Sequence, residues 1–346
     1  MHSLSPEYIA KLRFNARQLA MLRTLGEQRG RQPLHIAQLP EVLNDVRRVA
    51  IADSIESSTR LNGVTVAGHR LKSLALEKVT PQNRAEQEIA GYRDALKLIC
   101  DGGDRMPLSE SIVLQLHATL HRYMRQPGGQ WRTADSDIIE GLSGYSFHPV
   151  AAHLTPVTME SLVARYRTAL DQQLADPLVL VPLVIFDFLC IHPFPDNNCR
   201  MARLLSLQLL CHFDYAVGRF ISLERIFENS KEDYCTAVGA SLQGWHEGIH
   251  NITPWFDYFW GTLARAYEEF EDRIGTIERG RGAKGDRVRT EILKHRLPFS
   301  ISEIEKACPG VSRDMVRLTL RTMKAEGLIE PTGKGRNAKW QHTQNR

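Results

Sequence analysis

The chain has 346 residues, of which 42% are hydrophobic and 24% are charged, with a net charge of +4. This composition is typical of a soluble globular protein of about two or three compact units and argues against intrinsic disorder. No apolar run reaches the about 18 residues of a membrane span, and no basic-then-apolar segment opens the sequence, so we expect a cytoplasmic protein without a membrane anchor. The six cysteines form no C-x-x-C pair, which fits a reducing compartment.

Charge is distributed unevenly along the chain. Residues 279–346 carry 16 Lys and Arg against 7 Asp and Glu, whereas the preceding residues carry 28 against 33. A basic tail on an acidic body favours a polyanion as the partner of the tail. A solvated charged face is the alternative interpretation.

Hydrophobic periodicity predicts helices along most of the chain. The predicted helices cover residues 3–25, 39–55, 84–99, 109–123, 158–174, 178–190, 200–212 and 233–273. Between residues 131 and 157 the helical pattern disappears, and apolar residues at 138–147 predict a short hairpin or extended flap. The glycine-rich segment 280–285 predicts a linker at the point where the charge changes sign. The fold class is therefore predicted to be all-α with one small β flap.

The basic tail has a predicted order of its own. Helices are predicted at residues 287–295, 301–308 and 312–326, followed by two short strands around a basic turn. This order resembles the winged helix-turn-helix family, including the Gly-Leu-Ile step from the third helix into the wing.

Basic residues of the third tail helix and the wing are candidates for DNA binding. They are Arg313, Arg317, Arg321, Lys334, Arg336 and Lys339. The three arginines recur every four residues and form one stripe on a helix, which could meet phosphates or a major groove. Protein contacts or dimerisation are the alternative, because one fold serves several functions.

A polar loop between two apolar helices carries the residues best suited to chemistry. The loop feeds the N-terminus of a helix, where backbone N–H groups and the helix dipole attract anions. Arg200 and Arg203 lie three residues apart and can grip one phosphate chain. Asp196 offers an oxygen ligand for magnesium, and His192 can accept a proton near neutral pH. This combination indicates phosphate-group transfer.

Each loop residue also has an ordinary structural interpretation. His192 could be a structural histidine, Asp196 could cap the next helix, and the two arginines could form surface ion pairs. Cys199 could be a buried filler or, beside two arginines, an activated thiol. These interpretations weaken together because all the residues follow one known order and spacing.

The loop resembles the signature of Fic-domain proteins, His-Pro-Phe-x-(Asp/Glu)-Gly-Asn-(Gly/Lys)-Arg-x-x-Arg. Seven diagnostic positions match: His192, Pro193, Phe194, Asp196, Asn198, Arg200 and Arg203. The resemblance implies three regions. They are an N-terminal helical region with a degenerate inhibitory motif (1–100), a Fic core domain with the β-hairpin flap (101–278) and a winged helix domain (279–346).

The resemblance implies a nucleotidyltransferase that AMPylates proteins, moving AMP from Mg²⁺-ATP to a Ser, Thr or Tyr hydroxyl of a target protein. It implies His192 as the general base and Asp196 as the Mg²⁺ ligand. ATP binding is implied for five loop residues: Asn197, Asn198, Cys199, Arg200 and Arg203. The expected partners are the target protein, DNA through the tail, and a second copy of the chain in a homodimer.

Two glycines of the usual motif are replaced, by Asn197 and Cys199. Asparagine tolerates a left-handed backbone better than other substitutes, so we expect Asn197 to keep the turn. The side chain of Cys199 would project toward the α-phosphate. Two alternatives therefore stay open. One is a DNA-binding regulator with a nucleotide-sensing or inactive Fic site, and the other is a Fic enzyme that transfers a different phosphate-containing group.

Residues 58–63 resemble the inhibitory motif of Fic proteins, Ser/Thr-x-x-x-Glu-(Gly/Asn). Ser58 and Gly63 match, but Asn62 stands where the motif has Glu. An amide can hydrogen-bond Arg203 but gives no charge-assisted pair, so we expect weakened inhibition by a helix that still covers the site. A simple helix end at Gly63 is the alternative.

Overall fold

The structure is a computed structural model that describes residues 3–38, 40–76, 79–135, 137–140, 145–279, 283–295, 297–332 and 339–343. It is 69% helical, which confirms the predicted fold class. None of the described helices is long and apolar enough to cross a membrane. The chain divides into two compact units, Met1–Phe270 and Glu271–Arg346. The boundary predicted at residues 100–101 falls inside a helix, because Asp101 lies in the helix Arg84–Gly102.

The first unit is built from helices and one hairpin. The described helices are α1 (Pro6–Ile9), α2 (Ala16–Gln38), α3 (Pro40–Leu61), α4 (Gly68–Leu76), α5 (Arg84–Gly102), α6 (Glu110–Leu120), α7 (Thr155–Asp171), α8 (Pro177–Ile191), α9 (Asn198–His212), α10 (Leu223–Asn229), α11 (Lys231–Leu242) and α12 (Thr253–Arg279), the last of which ends in the second unit. Strands β1 (Ile138–Glu140) and β2 (Tyr145–Phe147) pair antiparallel, with Ile139 opposite Ser146. The predicted flap is therefore a hairpin.

Side-chain caps define where several helices begin. The hydroxyl of Ser109 accepts a hydrogen bond from Ile112 N at 3.2 Å and caps α6 at the start of the helix predicted over 109–123. Asp176 accepts from Leu178 N at 2.8 Å and starts α8 one residue before its predicted start. These caps satisfy backbone donors that the helix itself cannot.

Two long helices predicted from periodicity are interrupted, so those predictions are wrong. Residues 3–25 form α1 and the start of α2, because Asn15 and Gln18 exchange hydrogen bonds of 3.0 Å and cap a new helix. Residues 233–273 are divided between α11 and α12, because Gly244 and Gly248 have φ angles of 75° and 71°, which a right-handed helix excludes.

Helix α8 forms the centre of the first unit. It is buried from Leu178 to Ile191 and packs against α7 and α9. Pro182 lies within it and offers no N–H to the carbonyl of Leu178, one turn earlier. The indole N–H of Trp260 donates to that carbonyl at 2.8 Å, and the indole of Trp255 donates to Pro182 O at 2.8 Å. Trp260 therefore supplies the donor that Pro182 lacks, and Trp255 adds a second contact from α12 to the same turn of α8.

Helices α5 and α6 approach to backbone contact at Gly91. A Cβ atom at this position would lie 2.0 Å from the carbonyl oxygen of Leu120. Only glycine allows such an approach. Since α6 carries His117 and ends directly before His121, this contact helps to position both imidazoles.

The second unit contains helices followed by two strands. They are α13 (Ala283–Lys294), α14 (Ile301–Ala307), α15 (Arg313–Ala325), β3 (Ile329–Thr332) and β4 (Lys339–His342). The strands pair antiparallel, with Pro331 opposite Trp340. The hydroxyl of Ser312 caps α15 by accepting from Met315 N at 3.3 Å, and Gly327, at φ 74°, follows its end.

The order of elements in the second unit is the one predicted, and the assignment to the winged helix-turn-helix family stays a prediction. Its core consists of apolar side chains from α13, α14 and α15, from the residues next to α14 and from β3: Val288, Ile292, Phe299, Ile304, Cys308, Val316, Leu320, Met323 and Ile329. The predicted linker is shorter than expected, because α13 already begins at Ala283. Residues 280–282 and the wing residues Lys334 and Arg336 lie outside the described residues.

Candidate active site

The candidate site is the loop that joins the end of α8 to the start of α9. Two residues with left-handed backbones flank it, His192 at φ 51° and Asn197 at φ 58°. Asn197 therefore keeps the turn, as expected from the sequence. Phe194 is fully buried between them and stacks on the His117 ring, with 3.8 Å between ring centroids. This aromatic contact fixes the loop against α6.

Asn198 braces the loop from the first turn of α9. Its Oδ1 accepts from Phe194 N at 2.9 Å, and its Nδ2 donates to Phe194 O at 2.7 Å. The side chain is buried, and both of its polar atoms are engaged with the loop. Asn198 thus determines how the loop amides are presented, and the direct ATP contact foreseen for it stays a prediction.

His192 is a neutral, half-buried imidazole at the end of α8. Its carbonyl accepts from Arg132 Nε at 2.9 Å, and the carbonyl of Pro193 accepts from Arg132 N at 2.9 Å. Burial, together with the charge of Arg132, lowers the pKa of His192 to about 4. The ring therefore keeps a lone pair on one nitrogen at neutral pH and can accept a proton.

Two imidazoles contact Asp196, one from the last turn of α6 and one from the residue that follows this helix. Nε2 of His117 lies 3.4 Å and Nε2 of His121 lies 3.1 Å from Asp196 Oδ1. Both contacts hold the pKa of Asp196 well below its usual range, and the carboxylate in turn raises the pKa of His121. The two imidazoles are buried, whereas the Asp196 side chain is 46% exposed. Asp196 is thus an ionised, accessible carboxylate of the kind that binds divalent cations.

Gly129 determines the tautomer of His117. Its backbone N–H donates to His117 Nδ1 at 2.9 Å, so the neutral ring carries its proton on Nε2, toward Asp196. Gly129 has a φ angle of 78°, and a Cβ there would lie 2.9 Å from Leu114 O. The segment around Gly129 can therefore approach α6 only because this position is a glycine.

Two buried arginines of α9 lie next to the loop. Arg200 is 2% and Arg203 is 9% exposed. Arg200 donates from Nη1 to Asn197 Oδ1 at 3.2 Å, and its guanidinium lies 5.7 Å above the Tyr92 ring. Nε of Arg200 and Nη2 of Arg203 are buried without a hydrogen-bond partner among the described residues. Buried donors of this kind carry a free-energy cost unless an anionic ligand meets them.

Glu224 of α10 is a site residue that the sequence analysis missed. Its Oε2 accepts from Arg203 Nε at 2.6 Å, and its Oε1 accepts from the Tyr92 hydroxyl at 3.0 Å. Glu224 lies 21 residues after Arg203 and belongs to none of the motifs, so spacing gave no signal. Glu224 thus offsets part of the positive charge of the two guanidinium groups.

The predicted regulatory residues Ser58, Asn62 and Gly63 lie at the end of α3. Asn62, directly after α3, donates from Nδ2 back to Ser58 O of that helix at 3.1 Å, and Gly63 follows with a φ angle of 68°. Helix α3 packs against α10, which carries Glu224. The regulatory role of the three residues stays a prediction.

The remaining predicted residues lie at two places. Cys199 is exposed in the first turn of α9. Arg313, Arg317 and Arg321 are exposed on α15, where Arg313 lies 3.3 Å from Glu305. These arginines belong to the second unit.

Residues 107–210 match the Fic/DOC family. This chain contains a Fic/DOC family domain. A Fic family protein from Desulfovibrio desulfuricans G20 is similar in structure, with 20% identity, a TM-score of 0.63, and coverage of 97% of this chain and 98% of that chain. A Fic domain containing signaling protein from Bacteroides thetaiotaomicron VPI-5482 has 22% identity and a TM-score of 0.57, over 72% of this chain and 95% of that one. Fic-1 from C. elegans has 17% identity and a TM-score of 0.56, over 74% and 72%.

A search of the curated proteins finds no match. At the identities of the solved structures, the likeness shows the Fic fold alone. Fic domain proteins are generally transferases, and the loop of this Fic domain lies inside the matched residues. The Fic loop is therefore the candidate active site.

Proposed function

We propose that this Fic domain protein is a protein adenylyltransferase, which transfers AMP from Mg²⁺-ATP to a Ser, Thr or Tyr hydroxyl of a target protein. The observation that carries the proposal is the pair of buried arginines with unmatched N–H donors. They lie in α9, directly after the loop that contains the neutral His192 and the ionised Asp196. A base, a carboxylate and an anion pocket are the parts that phosphate-group transfer needs.

In the proposed reaction His192 acts on the target hydroxyl. Its lone pair takes the hydroxyl proton while the oxygen forms a bond to the α-phosphorus of ATP. The bond from that phosphorus to the bridging oxygen breaks, and pyrophosphate leaves with the electron pair. The unmatched N–H groups of Arg200 and Arg203 would bind the oxygens of the leaving pyrophosphate.

The residues present fit a magnesium nucleotide. Asp196 is ionised and half exposed, and it would hold Mg²⁺. When bound, the metal supplies charge neutralisation for the α- and β-phosphates. The amides at the start of α9, held in place by Asn198, would face the α-phosphate. Cys199 is exposed in the first turn of α9, where the usual motif has glycine.

The test is transfer of label from ATP. Purified protein is incubated with Mg²⁺ and either α- or γ-labelled ATP, beside His192→Ala and the matched control His69→Ala, which removes an exposed imidazole from α4. We expect label from α-labelled ATP in the wild type and in His69→Ala only. Label from γ-labelled ATP alone would instead indicate a phosphotransferase, and no label, with or without added candidate proteins, would favour a nucleotide-sensing or inactive site.

DNA binding by the second unit is a second candidate function. The supporting observation is that Arg313, Arg317 and Arg321 are exposed on α15, whose opposite face is buried in the core. We expect the full chain to bind random DNA fragments with an affinity that falls with salt. Replacing the three arginines by alanine should weaken binding and flatten the salt dependence, whereas Arg84→Ala, at an exposed arginine of α5, should not. Equal binding by both variants would contradict this function.

A further inference from the structure

The geometry points to His121 as a second protein ligand of the divalent cation at Asp196, which makes this a site for a transition metal such as Mn²⁺. The inference deepens the proposed function, on which its use in catalysis rests. Metal binding itself is measurable whether or not the protein transfers AMP.

The two candidate ligand atoms are spaced as the ligands of one ion. His121 Nε2 and Asp196 Oδ1 are 3.1 Å apart. Two atoms that each lie about 2.1 Å from one octahedral ion, at a right angle, are separated by about 3.0 Å. A cation could therefore be shared by these atoms with little movement of α6 or the loop. His121 is buried while Asp196 is half exposed, which leaves coordination positions open toward solvent.

His117, although it belongs to the same cluster of three possible ligands, is unsuited to ligation. Its Nδ1 accepts the Gly129 N–H, so its Nε2 carries the proton in the neutral ring and has no lone pair for a metal. His117 instead donates toward Asp196 and orients the carboxylate. It is a positioning residue.

His121 differs from His117 at Nδ1. Its Nδ1 is buried and has no hydrogen-bond partner among the described residues, so no N–H group reserves that lone pair. Its Nε2 faces the side-chain amide nitrogen of Asn197 at 3.4 Å. The orientation of that amide is fixed, because Asn197 Oδ1 accepts from Arg200. Without a metal, Nε2 donates to the nearer Asp196 Oδ1 at 3.1 Å. Because Nδ1 has no partner among the described residues, the ring proton can move there when an ion binds and leave the Nε2 lone pair to the ion.

The ligand set has a consequence for metal choice. Oxygen ligands suit Mg²⁺ and Mn²⁺ alike, whereas an imidazole nitrogen favours transition metals over Mg²⁺. A site of Asp196 alone would discriminate little between the two ions. With His121 added, Mn²⁺ should bind more tightly than Mg²⁺, and the nitrogen should be detectable on the bound ion.

The experiment measures Mn²⁺ binding by electron paramagnetic resonance, with and without ADP, and the ¹⁴N modulation of its spin echo. The wild type is compared with His121→Gln, His117→Gln and His148→Gln. His148 is the matched control, because its imidazole lies 2.6 Å from Asp137 on an exposed surface. Circular dichroism and thermal melting verify that each variant is folded, and His121→Asn replaces His121→Gln where it is not.

We expect ¹⁴N modulation in the wild type, in His117→Gln and in His148→Gln, and its loss in His121→Gln. Since even the loss of an outer-shell partner weakens metal affinity by about tenfold or more, His121→Gln should weaken Mn²⁺ binding by at least that factor. Binding of Mg²⁺ should change much less. Modulation that survives in His121→Gln, a wild type without modulation, or no Mn²⁺ binding up to millimolar concentration would overturn the inference. Each of these outcomes is independent of label transfer with Mg²⁺-ATP, so failure of the proposed function is recognised separately.

Discussion

Arg203 and Glu224 form a buried ion pair, in which the guanidinium Nε donates to the carboxylate at 2.6 Å and both side chains are less than a tenth exposed. The inhibitory motif that residues 58–63 resemble would bring a glutamate to this arginine from α3. Here the amide of Asn62 bonds back to Ser58 of α3, and the carboxylate comes from α10 instead. Glu224 thus holds the arginine that the proposed reaction needs for the leaving pyrophosphate.

Replacing Glu224 by glutamine should raise AMP transfer. The amide keeps a hydrogen bond to Arg203 but loses the charge-assisted pairing, a difference of about 1.4 kcal/mol, or about tenfold in rate. The measurement is initial-rate labelling from α-labelled ATP. Glu228→Gln is the matched control, because it removes the other carboxylate that α10 directs at an arginine, the exposed Arg60. A fall in rate for Glu224→Gln would mean that Glu224 holds Arg203 in its working position.

Restoring the motif glutamate by Asn62→Glu should lower labelling. A carboxylate at the end of α3 would add a second negative charge opposite Arg203 and compete with the leaving phosphates. Asn62→Gln, which lengthens the side chain without charge, is the control and should leave the rate near that of the wild type. Equal rates for Asn62→Glu and wild type would contradict the regulatory role of residues 58–63.

The rate should be insensitive to mild acid. His192 works as a base only when it is deprotonated, and its pKa is lowered to about 4 by burial and by Arg132. The acid limb of kcat/KM should therefore lie near pH 4, whereas an exposed histidine would lose half its activity near pH 6.5. A pH–rate profile between about pH 5 and 8 measures this. An acid limb near pH 6.5 would show that the imidazole is solvated when the enzyme works.

Asp187 should make the fold less stable as the pH rises. Burial raises the pKa of this carboxyl to about 6, although Ser3 and Trp245 donate to its Oδ1. Because the folded pKa lies above the unfolded value, the neutral carboxyl favours folding at low pH. That contribution, about 3 kcal/mol by linkage, is lost as the pH rises from about 4 through 6.

Urea unfolding of wild type and Asp187→Asn at about pH 4 and pH 7 measures this difference, since the asparagine does not titrate. The wild type should lose about 2 kcal/mol relative to the variant between the two pH values, since the unfolded carboxyl is already partly ionised at about pH 4. A pH dependence shared by both proteins would assign it to other groups.

What the sequence predicted follows from local chemistry. The helix starts at Ser109 and Ser312, the left-handed turn at Asn197 and the hairpin depend on residues near one another in the chain, and all are present. The break between α11 and α12 was missed because the apolar periodicity continues across Gly244, although the backbone leaves the helical conformation there.

The partners within the site could not be predicted in the same way. His121 reaches Asp196 across 75 positions of sequence, and Glu224 reaches Arg203 from a different helix. No fixed spacing relates such pairs, because the packing of whole helices decides which side chains meet. The motif therefore identified the loop but not the residues of other helices that contact it, such as His121 and Glu224.

The backbone contact at Gly91 gives that packing an evolutionary consequence. Gly91 has no polar side chain, yet its contact with Leu120 determines how close the next residue, His121, lies to the Fic loop. Among related sequences we expect a glycine here to covary with a histidine at position 121. A lineage that gained bulk on α5 would have to move α6 outward and would lose the nitrogen ligand without any change at the loop. The presence of the nitrogen ligand in a related protein could then be predicted from position 91, although this residue does not touch the metal.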